Sequence, residues 1–483
     1  MPVMGSRHPD PGGFDISRIA VVGAGPAGLA AAKYLVAQKT FGTIDVFEQQ
    51  AEVGGVWYYS PHPSTTLHVP QVSPFTPPDP PLRPDDAAPI FPSPMYQTLH
   101  TNVTRGLMPF SDLEFPDDSL IFPSREAVQE YLVEYSQDVR HLIKFSSQVQ
   151  DVRLRSAHGR DQWDVDVLSL ETDLSSTATY DAVVVASGHY SITYIPAIKN
   201  IAEFHAAHPG VISHSKLYRT PESFVGKKVV VVGNAASGLD IAAQIDRVCQ
   251  KPLLLSVRTT TPPANLAFVG AEEVPQIDEF LVAEKGVRLH DGRVETDIDA
   301  VVFATGYLFT FPFLSSLKPP LVTDGRRARG LYRDLFHIDH PTLVFPGLPI
   351  KVVPFSVCES QAAMFSRTWA NLWSLPSAAE MRKDEEDEAK KRGPSFHVWP
   401  SLADAEFVNS VHDRVTRERL FGKEPPRWSD GLIWQRRICF DAKLKFEVEG
   451  RKAMSLEELG FTYQPGQEDP NTASLQRDQP EII

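Results

Sequence analysis

Two short apolar runs, each ending in a glycine-rich turn, restrict this chain more than any other feature. Arg18-Ile19-Ala20-Val21-Val22 leads into Gly23-Ala24-Gly25-Pro26-Ala27-Gly28, and Lys228-Val229-Val230-Val231-Val232 leads into Gly233-Asn234-Ala235-Ala236-Ser237-Gly238, with Gly23 and Gly233 lying 210 positions apart. Helix-forming sequence follows each turn, over residues 29–38 and 239–248, and then a second apolar strand, over residues 44–48 and 252–257. Strand, tight turn, helix, strand is a βαβ unit with its glycines at the helix N-terminus. The closing strands repeat as well, since Asp299-Ala300-Val301-Val302-Phe303-Ala304-Thr305-Gly306-Tyr307 echoes Asp181-Ala182-Val183-Val184-Val185-Ala186-Ser187-Gly188. The pattern predicts an α/β fold of two Rossmann-like dinucleotide-binding domains, one inserted into the other. Residues 17–190 and 299–464 would form the outer domain and 191–298 the inserted one, with 1–16 and 465–483 as disordered tails.

The turns also say what is bound. In such a turn the first glycine allows the tight bend, the second lets backbone approach a pyrophosphate, and the third lets helix pack on strand; the helix N-terminus then faces the phosphates. In the first turn these are Gly23, Gly25 and Gly28, with Ala27 beside them, and Glu48 falls 20 residues after Gly28, where a carboxylate accepts hydrogen bonds from a free ribose. The second turn keeps Gly233 and Gly238, carries Ala235 in the middle and Ser237 at the helix start, and has Arg258, followed by Thr259, at the position matching Glu48. A guanidinium there pairs with a 2′-phosphate that a carboxylate would repel. The expected cofactors are therefore FAD in the first unit and NADPH in the second.

At 483 residues the chain has room for two joined domains. A formal charge of -14 argues against a nucleic-acid surface, no window is apolar enough for a membrane span, and no apolar leader follows a basic start. The chain thus reads as cytoplasmic. Cys249, Cys358 and Cys439 are too widely spaced for a redox pair or a zinc set, so no metal is expected. Residues 60–94 are Pro-rich and aperiodic, a surface excursion; residues 124–136 read as a Ser-capped amphipathic helix; residues 381–392 read as a solvated charged stretch.

Further motifs carry a family resemblance. Val53-Gly54-Gly55-Val56-Trp57 is similar to the GGxW segment of flavin-containing monooxygenases, and residues 208–218, with His214 and Tyr218, are similar to that family's identifying pattern except for His208 in place of Phe. Tyr96-Gln97-Thr98-Leu99-His100-Thr101-Asn102 resembles its L-x-T-N region, and Thr305-Gly306 its inter-domain ATG motif. The resemblance covers residues 17–450, and its Pro-rich excursion and residues 346–363 look most like the fungal and yeast branch, with its role in secondary metabolism. It implies that NADPH reduces the flavin, that O2 adds to give a flavin hydroperoxide, and that a small substrate takes up one oxygen on sulfur or nitrogen, as in sulfoxidation or the N-oxygenation of N,N-dimethylaniline. It places Gly54, Gly55, Val56, Trp57, Thr101 and Asn102 at the flavin, with Asn102 as the residue acting at its oxygen-bearing face. Thr305 and Gly306 fall at the domain link, and Gln361 on a helix whose N-terminus would face the flavin's pyrimidine edge. His214 is read as structural. Three activities stay open: S- or N-oxygenation, Baeyer–Villiger oxygenation of a carbonyl, and peroxide release as an NADPH oxidase. The partners expected are a small molecule and O2, for a monomer or homodimer.

Overall fold

The computed structural model describes residues 13–83, 88–157 and 160–465. Most of the tails expected to be disordered, residues 1–12 and 466–483, lies outside the described residues. Residues 13–16 do not fit that expectation: the Asn371 side chain accepts from the Phe14 N–H and donates to its carbonyl, both at 2.8 Å, and ties the lead to the body.

Seven strands form the first sheet, in the order Leu331–Tyr332, Phe336–His337, Leu343–Val344, Ala182–Val185, Arg18–Val22, Thr43–Phe47, Ile143–Lys144. Its centre is parallel, with Ile19 to Val22 in register with Ala182 to Val185 and Arg18 to Val22 with Thr43 to Phe47. Both faces are covered, so Ile19 to Val22 and Ala182 to Val185 are apolar throughout rather than alternating. Ile19, Val21 and Val184 point into a core shared with the helices Pro26–Gln38, Arg125–Tyr135 and Pro354–Trp369. Ala20, Val22, Val183 and Val185 point to the other face, against the antiparallel strands Ser147–Ala157, Arg160–Ser169 and Ser175–Tyr180. The capped helix expected from Ser124 spans Arg125–Tyr135, and the Ser124 hydroxyl accepts from the Ala127 N–H.

The second sheet has five parallel strands in the order Glu272–Val274, Gln250–Ser256, Lys228–Val232, Ala300–Phe303, Ile212–His214. Val229 and Val231 face one core and Val230 the other, the same two-sided burial as in the first sheet. The pairing moves one strand: Ala300–Phe303, assigned above to the outer unit, is hydrogen-bonded between Lys228–Val232 and Ile212–His214. The repeat of Asp181 and Asp299 is the reason, since each repeated strand completes the sheet of its own glycine turn. The chain crosses between the sheets twice, and the crossings pair with each other as Ile192–Thr193 against Tyr307–Leu308. The charged stretch is the helix Ala378–Arg392, with a Ser377–Glu380 capping box. No helix of the described residues is long and apolar enough to cross a membrane.

Candidate functional site

At the first turn, geometry leaves room for hydrogen only. Gly23 has φ +102°, and a Cβ there would lie 2.6 Å from the carbonyl oxygen of Ala186; one on Gly28 would lie 1.9 Å from that of Gly23. Gly25 caps the helix Pro26–Gln38 without a side-chain hydrogen bond, and Pro26 occupies the first helical position, where its missing N–H costs nothing. The helix N-terminus is thus free of side-chain caps, with partial positive charge for an anion.

The Gly54-Gly55-Val56-Trp57 segment folds directly over this turn. The Gly54 N–H donates to the Ala24 carbonyl at 3.1 Å, and a Cβ on Gly55 would lie 3.1 Å from the Gly25 Cα. Gly55–Trp57 make one 3-10 turn, with Val56 and Trp57 half-buried. Glu48 is buried, and its carboxylate serves the turn itself: one oxygen accepts from the Ala24 N–H at 2.7 Å, the other from the Gln50 N–H at 2.8 Å. Burial pushes its carboxyl above the usual carboxylate range, and the amides of Gln50 and Ala24 oppose that.

Two amide side chains, buried Gln361 and half-buried Gln129, complete this surround, and each carries a buried atom without a protein partner. Gln361 accepts from the Gly347 N–H at 2.8 Å while its Nε2 is buried and unpaired; a Cβ on Gly347 would touch Ala27 at 3.4 Å. Gln129, which the sequence reading passed over on the polar face of its helix, donates to the Val53 carbonyl at 2.8 Å while its Oε1 is unpaired. Tight glycines, an uncapped helix end, and an orphaned donor and acceptor fit a polar ligand such as a dinucleotide.

The second turn repeats the backbone. Gly233 has φ +106° and a Cβ there would lie 2.8 Å from the Ala304 carbonyl oxygen; one on Gly238 would lie 2.1 Å from that of Gly233. Ala235 caps the helix Ala236–Asp246 without a side-chain bond, and Ser237 is exposed in its first turn. Arg258 is exposed after the strand Gln250–Ser256, and half-buried Thr259 follows. Asn234, also not singled out above, fixes this edge by donating to the Thr259 carbonyl and the Thr261 hydroxyl, both at 2.9 Å. Its place inside the glycine turn was the available signal.

At the crossings, the Thr305 hydroxyl donates to the Tyr194 carbonyl, and the Gly306 carbonyl accepts from the Tyr194 N–H at 2.9 Å. Gly188 and Gly306, at φ +71° and +83°, each face space with no atom within 4 Å of a would-be Cβ. His214 is fully buried; its Nδ1 accepts from the Lys216 N–H at 3.1 Å, which leaves Nε2 to donate to the Gly306 carbonyl at 3.1 Å. Burial holds its pKa down at about 3, so the ring is neutral.

Thr101 is buried, with its N–H on the Pro123 carbonyl at 2.9 Å and its hydroxyl on the Val103 carbonyl at 2.7 Å. Asn102 beside it is exposed, and its carbonyl accepts from the Cys439 thiol at 3.1 Å. The turn is therefore fixed from below while the Asn102 side chain projects from it. All three cysteines are free and buried. A cavity of about 780 Å³ lies elsewhere, near Lys33, Ser111, Asp112 and Lys423, and none of the residues predicted for the site lines it.

This geometry agrees with comparison to known proteins. The flavin-binding monooxygenase-like family matches residues 91–263 and 264–415, and the NAD(P)-binding Rossmann-like domain matches residues 21–82. Among curated relatives, flavin-containing monooxygenase FMO GS-OX-like 2 of Arabidopsis thaliana is 31% identical over 448 residues, 89% of this chain and 90% of the relative. The thiol-specific monooxygenase of Saccharomyces cerevisiae is 30% identical over 450 residues, 89% of this chain and 93% of the relative. Among solved structures, S-allyl-L-cysteine S-oxygenase from Allium sativum superposes with a TM-score of 0.73 at 25% identity, over 92% of this chain and 97% of that one. With two dinucleotide turns, their closing strands and these matches in agreement, the chain belongs to the flavin-binding monooxygenase-like family and is an FAD- and NADPH-dependent monooxygenase.

Proposed function

We propose that this monooxygenase oxygenates the sulfur of a small thiol or thioether. When bound and reduced by NADPH, the flavin supplies oxygen from O2 in an electrophilic form, so the protein's task is to hold cofactor and substrate and to keep stray protons away. The observation that carries the reading is the likeness, over 89% of this chain, to a yeast relative named as thiol-specific, with the fold shared with a garlic S-oxygenase beside it. His189 and His214 are both buried and held at about 3 by burial, so neither is a cation near neutral pH.

In this reading Gly23, Gly25, Ala27 and Gly28 hold the FAD pyrophosphate on the helix Pro26–Gln38, and Gly54 to Trp57 close over it. Glu48 shapes the turn and offers its remaining lone pairs to the ribose. Gln129 and Gln361 use their unpaired atoms on the same ligand. Gly233, Ala235, Ser237 and Gly238 hold the NADPH pyrophosphate, with Arg258 and Thr259 toward the 2′-phosphate. Thr305 and Gly306 shape the crossing beside them, and Asn102, on the turn anchored by Thr101, donates its amide to the oxygen-bearing edge without adding an acidic proton.

The test incubates the flavin-loaded enzyme with NADPH, O2 and a panel of thiols, thioethers and tertiary amines, measuring oxygenated product and hydrogen peroxide together. Sulfur oxygenation coupled to NADPH use is expected. Asn102→Ala should lose product and release peroxide instead, by about 100-fold in partition if one hydrogen bond in a dry site is lost. Coupled turnover with amines alone would overturn the sulfur assignment, and normal coupling in Asn102→Ala would remove Asn102 from the site.

A further inference from the structure

The described residues of the Pro-rich segment, 60–83 and 88–94, are irregular, as the sequence suggested, but they do not lie loosely on the surface. Its chain is tied to both sheets and to both crossings. On the first unit, the Gln50 side chain donates to the Phe91 carbonyl and accepts from its N–H at 3.1 Å. On the first crossing, Gln71 and Ile195 exchange two main-chain bonds of 2.9 Å. On the second, the Thr310 hydroxyl donates to the Pro74 carbonyl at 2.7 Å. Leu67 and Val69 pack on the core under the second sheet.

A set of buried ties comes from one stretch of the second unit, just after the strand Ile212–His214. Lys216, buried, pairs with Asp79 at 2.9 Å. Arg219 is also buried, and its guanidinium bonds go to main-chain carbonyls: Nε to Ser60 at 2.9 Å, Nη2 to Ser93 at 3.0 Å, and Nη1 to Lys216 and Tyr218 at 2.9 and 2.8 Å. Ser60 and Ser93 are the two ends of the Pro-rich segment, so a single planar fork closes the loop and fastens it to the second unit. Burial lowers the Arg219 pKa. A buried cation held by backbone carbonyls is costly unless several donors are satisfied at fixed angles, which a guanidinium does and an ammonium does not.

We propose that Arg219 is a positioning residue for hydride transfer: by stapling both ends of the 60–94 strap across the two crossings, it fixes the second unit's orientation against the first. Hydride transfer requires donor and acceptor atoms within about 3.5 Å, and a misplacement of about 1 Å costs about 100-fold. Two paired crossing strands of two residues each, Ile192–Thr193 and Tyr307–Leu308, are a narrow hinge, and the ties of Tyr96 and Arg451 to Asp240 and of Thr98 to Gln244 hold one side of the second unit only, so the strap supplies a separate constraint. The inference rests on the FAD and NADPH assignments and is independent of the sulfur substrate.

The experiment uses FAD-loaded protein, as Arg219→Lys and Asp79→Asn. Hydrogen–deuterium exchange without NADPH reads the strap. Anaerobic flavin reduction across NADPH concentrations reads positioning, as a limiting rate separate from the NADPH dissociation constant. Arg219→Lys should speed exchange in residues 60–94 and 191–195, with the strand Arg18–Val22 unchanged, and slow limiting reduction by about tenfold or more, while the dissociation constant moves by less than about threefold. Asp79→Asn should act in the same direction to a smaller extent, and decides the question if Arg219→Lys does not fold. Faster strap exchange with an unchanged reduction rate would reduce the strap to a structural element. Unchanged exchange in both variants would also overturn the proposal. A protein that binds no flavin would instead refute the cofactor assignment, with the exchange data still legible.

Discussion

The two glycine turns share a backbone and differ in how their ligand-facing edges are finished. In the first, Glu48 is buried and gives one oxygen to the turn's Ala24 amide and the other to the Gln50 amide after its own strand, and a second backbone segment, Gly54–Gly55, lies on top. In the second, Ala235 replaces the middle glycine and Arg258 stands exposed, with Asn234 bracing the loop behind it. The first is built to enclose a resident group, the second to admit one from solvent. That suits a flavin that stays and a nicotinamide cofactor that must arrive and leave with each turnover.

The sharpest break of this comparison is Gly28→Ala against Gly238→Ala. The added methyl group would lie 1.9 and 2.1 Å from a carbonyl oxygen, so neither turn survives it. Gly28→Ala is expected to give protein without flavin, visible as loss of the yellow absorption. Gly238→Ala should keep its flavin and lose NADPH-driven reduction by about 100-fold or more. Loss of flavin from both would mean that the two turns fold as one unit.

Next comes Glu48→Gln. An amide nitrogen would face either the Ala24 or the Gln50 N–H, leaving a buried donor unpaired at a cost of about 1 to 3 kcal/mol, so FAD should dissociate about 10- to 100-fold more readily, as measured by flavin release on dilution. Tight flavin in this variant would show the carboxylate to be dispensable to the first turn. A smaller effect is expected for Arg258→Ala, because the side chain is exposed and screened: the preference for NADPH over NADH should fall about tenfold in steady-state kinetics. An unchanged ratio would move the 2′-phosphate to another cation.

The smallest effect concerns the histidines at the crossings. His214 is fully bonded, whereas His189, between Tyr190 and Phe309, is buried with both ring nitrogens unpaired. Both are held near 3 against an ordinary 6.5, so the unfolded chain binds protons that the folded chain refuses within that window. Stability is full above the unfolded value and is lost as pH falls through the window. His189→Phe should therefore change stability at pH 7.5 by no more than about 1 kcal/mol and flatten the acid loss between pH 6 and 4. Chemical denaturation at the two ends of that range checks it; an unaltered slope would mean that the His189 ring titrates normally.

Much of this molecule was legible from residues alone. The two turns, their strands and the carboxylate–arginine contrast at positions 48 and 258 follow from local sequence, because a βαβ unit is punctuated within about 30 residues and its glycines answer to sterics at short range. What local sequence could not supply was partnership across distance. Ala300–Phe303 reads identically in either sheet, and only strand pairing placed it in the second. Glu48 looks like a ligand residue in sequence, and only the fold turned its oxygens onto Ala24 and Gln50. Arg219 stands one residue past the pattern at residues 208–218, with nothing local to mark its distant partners, and the Pro-rich segment shows no period at all; their meeting at Ser60 and Ser93 spans 159 and 126 positions. Hydrogen bonds to main-chain carbonyls leave no mark on the sequence of the acceptor, since every residue carries the same carbonyl. The sequence by itself thus determined which dinucleotides the chain is built to hold, and the tertiary structure alone decided how the two halves are fastened to face each other.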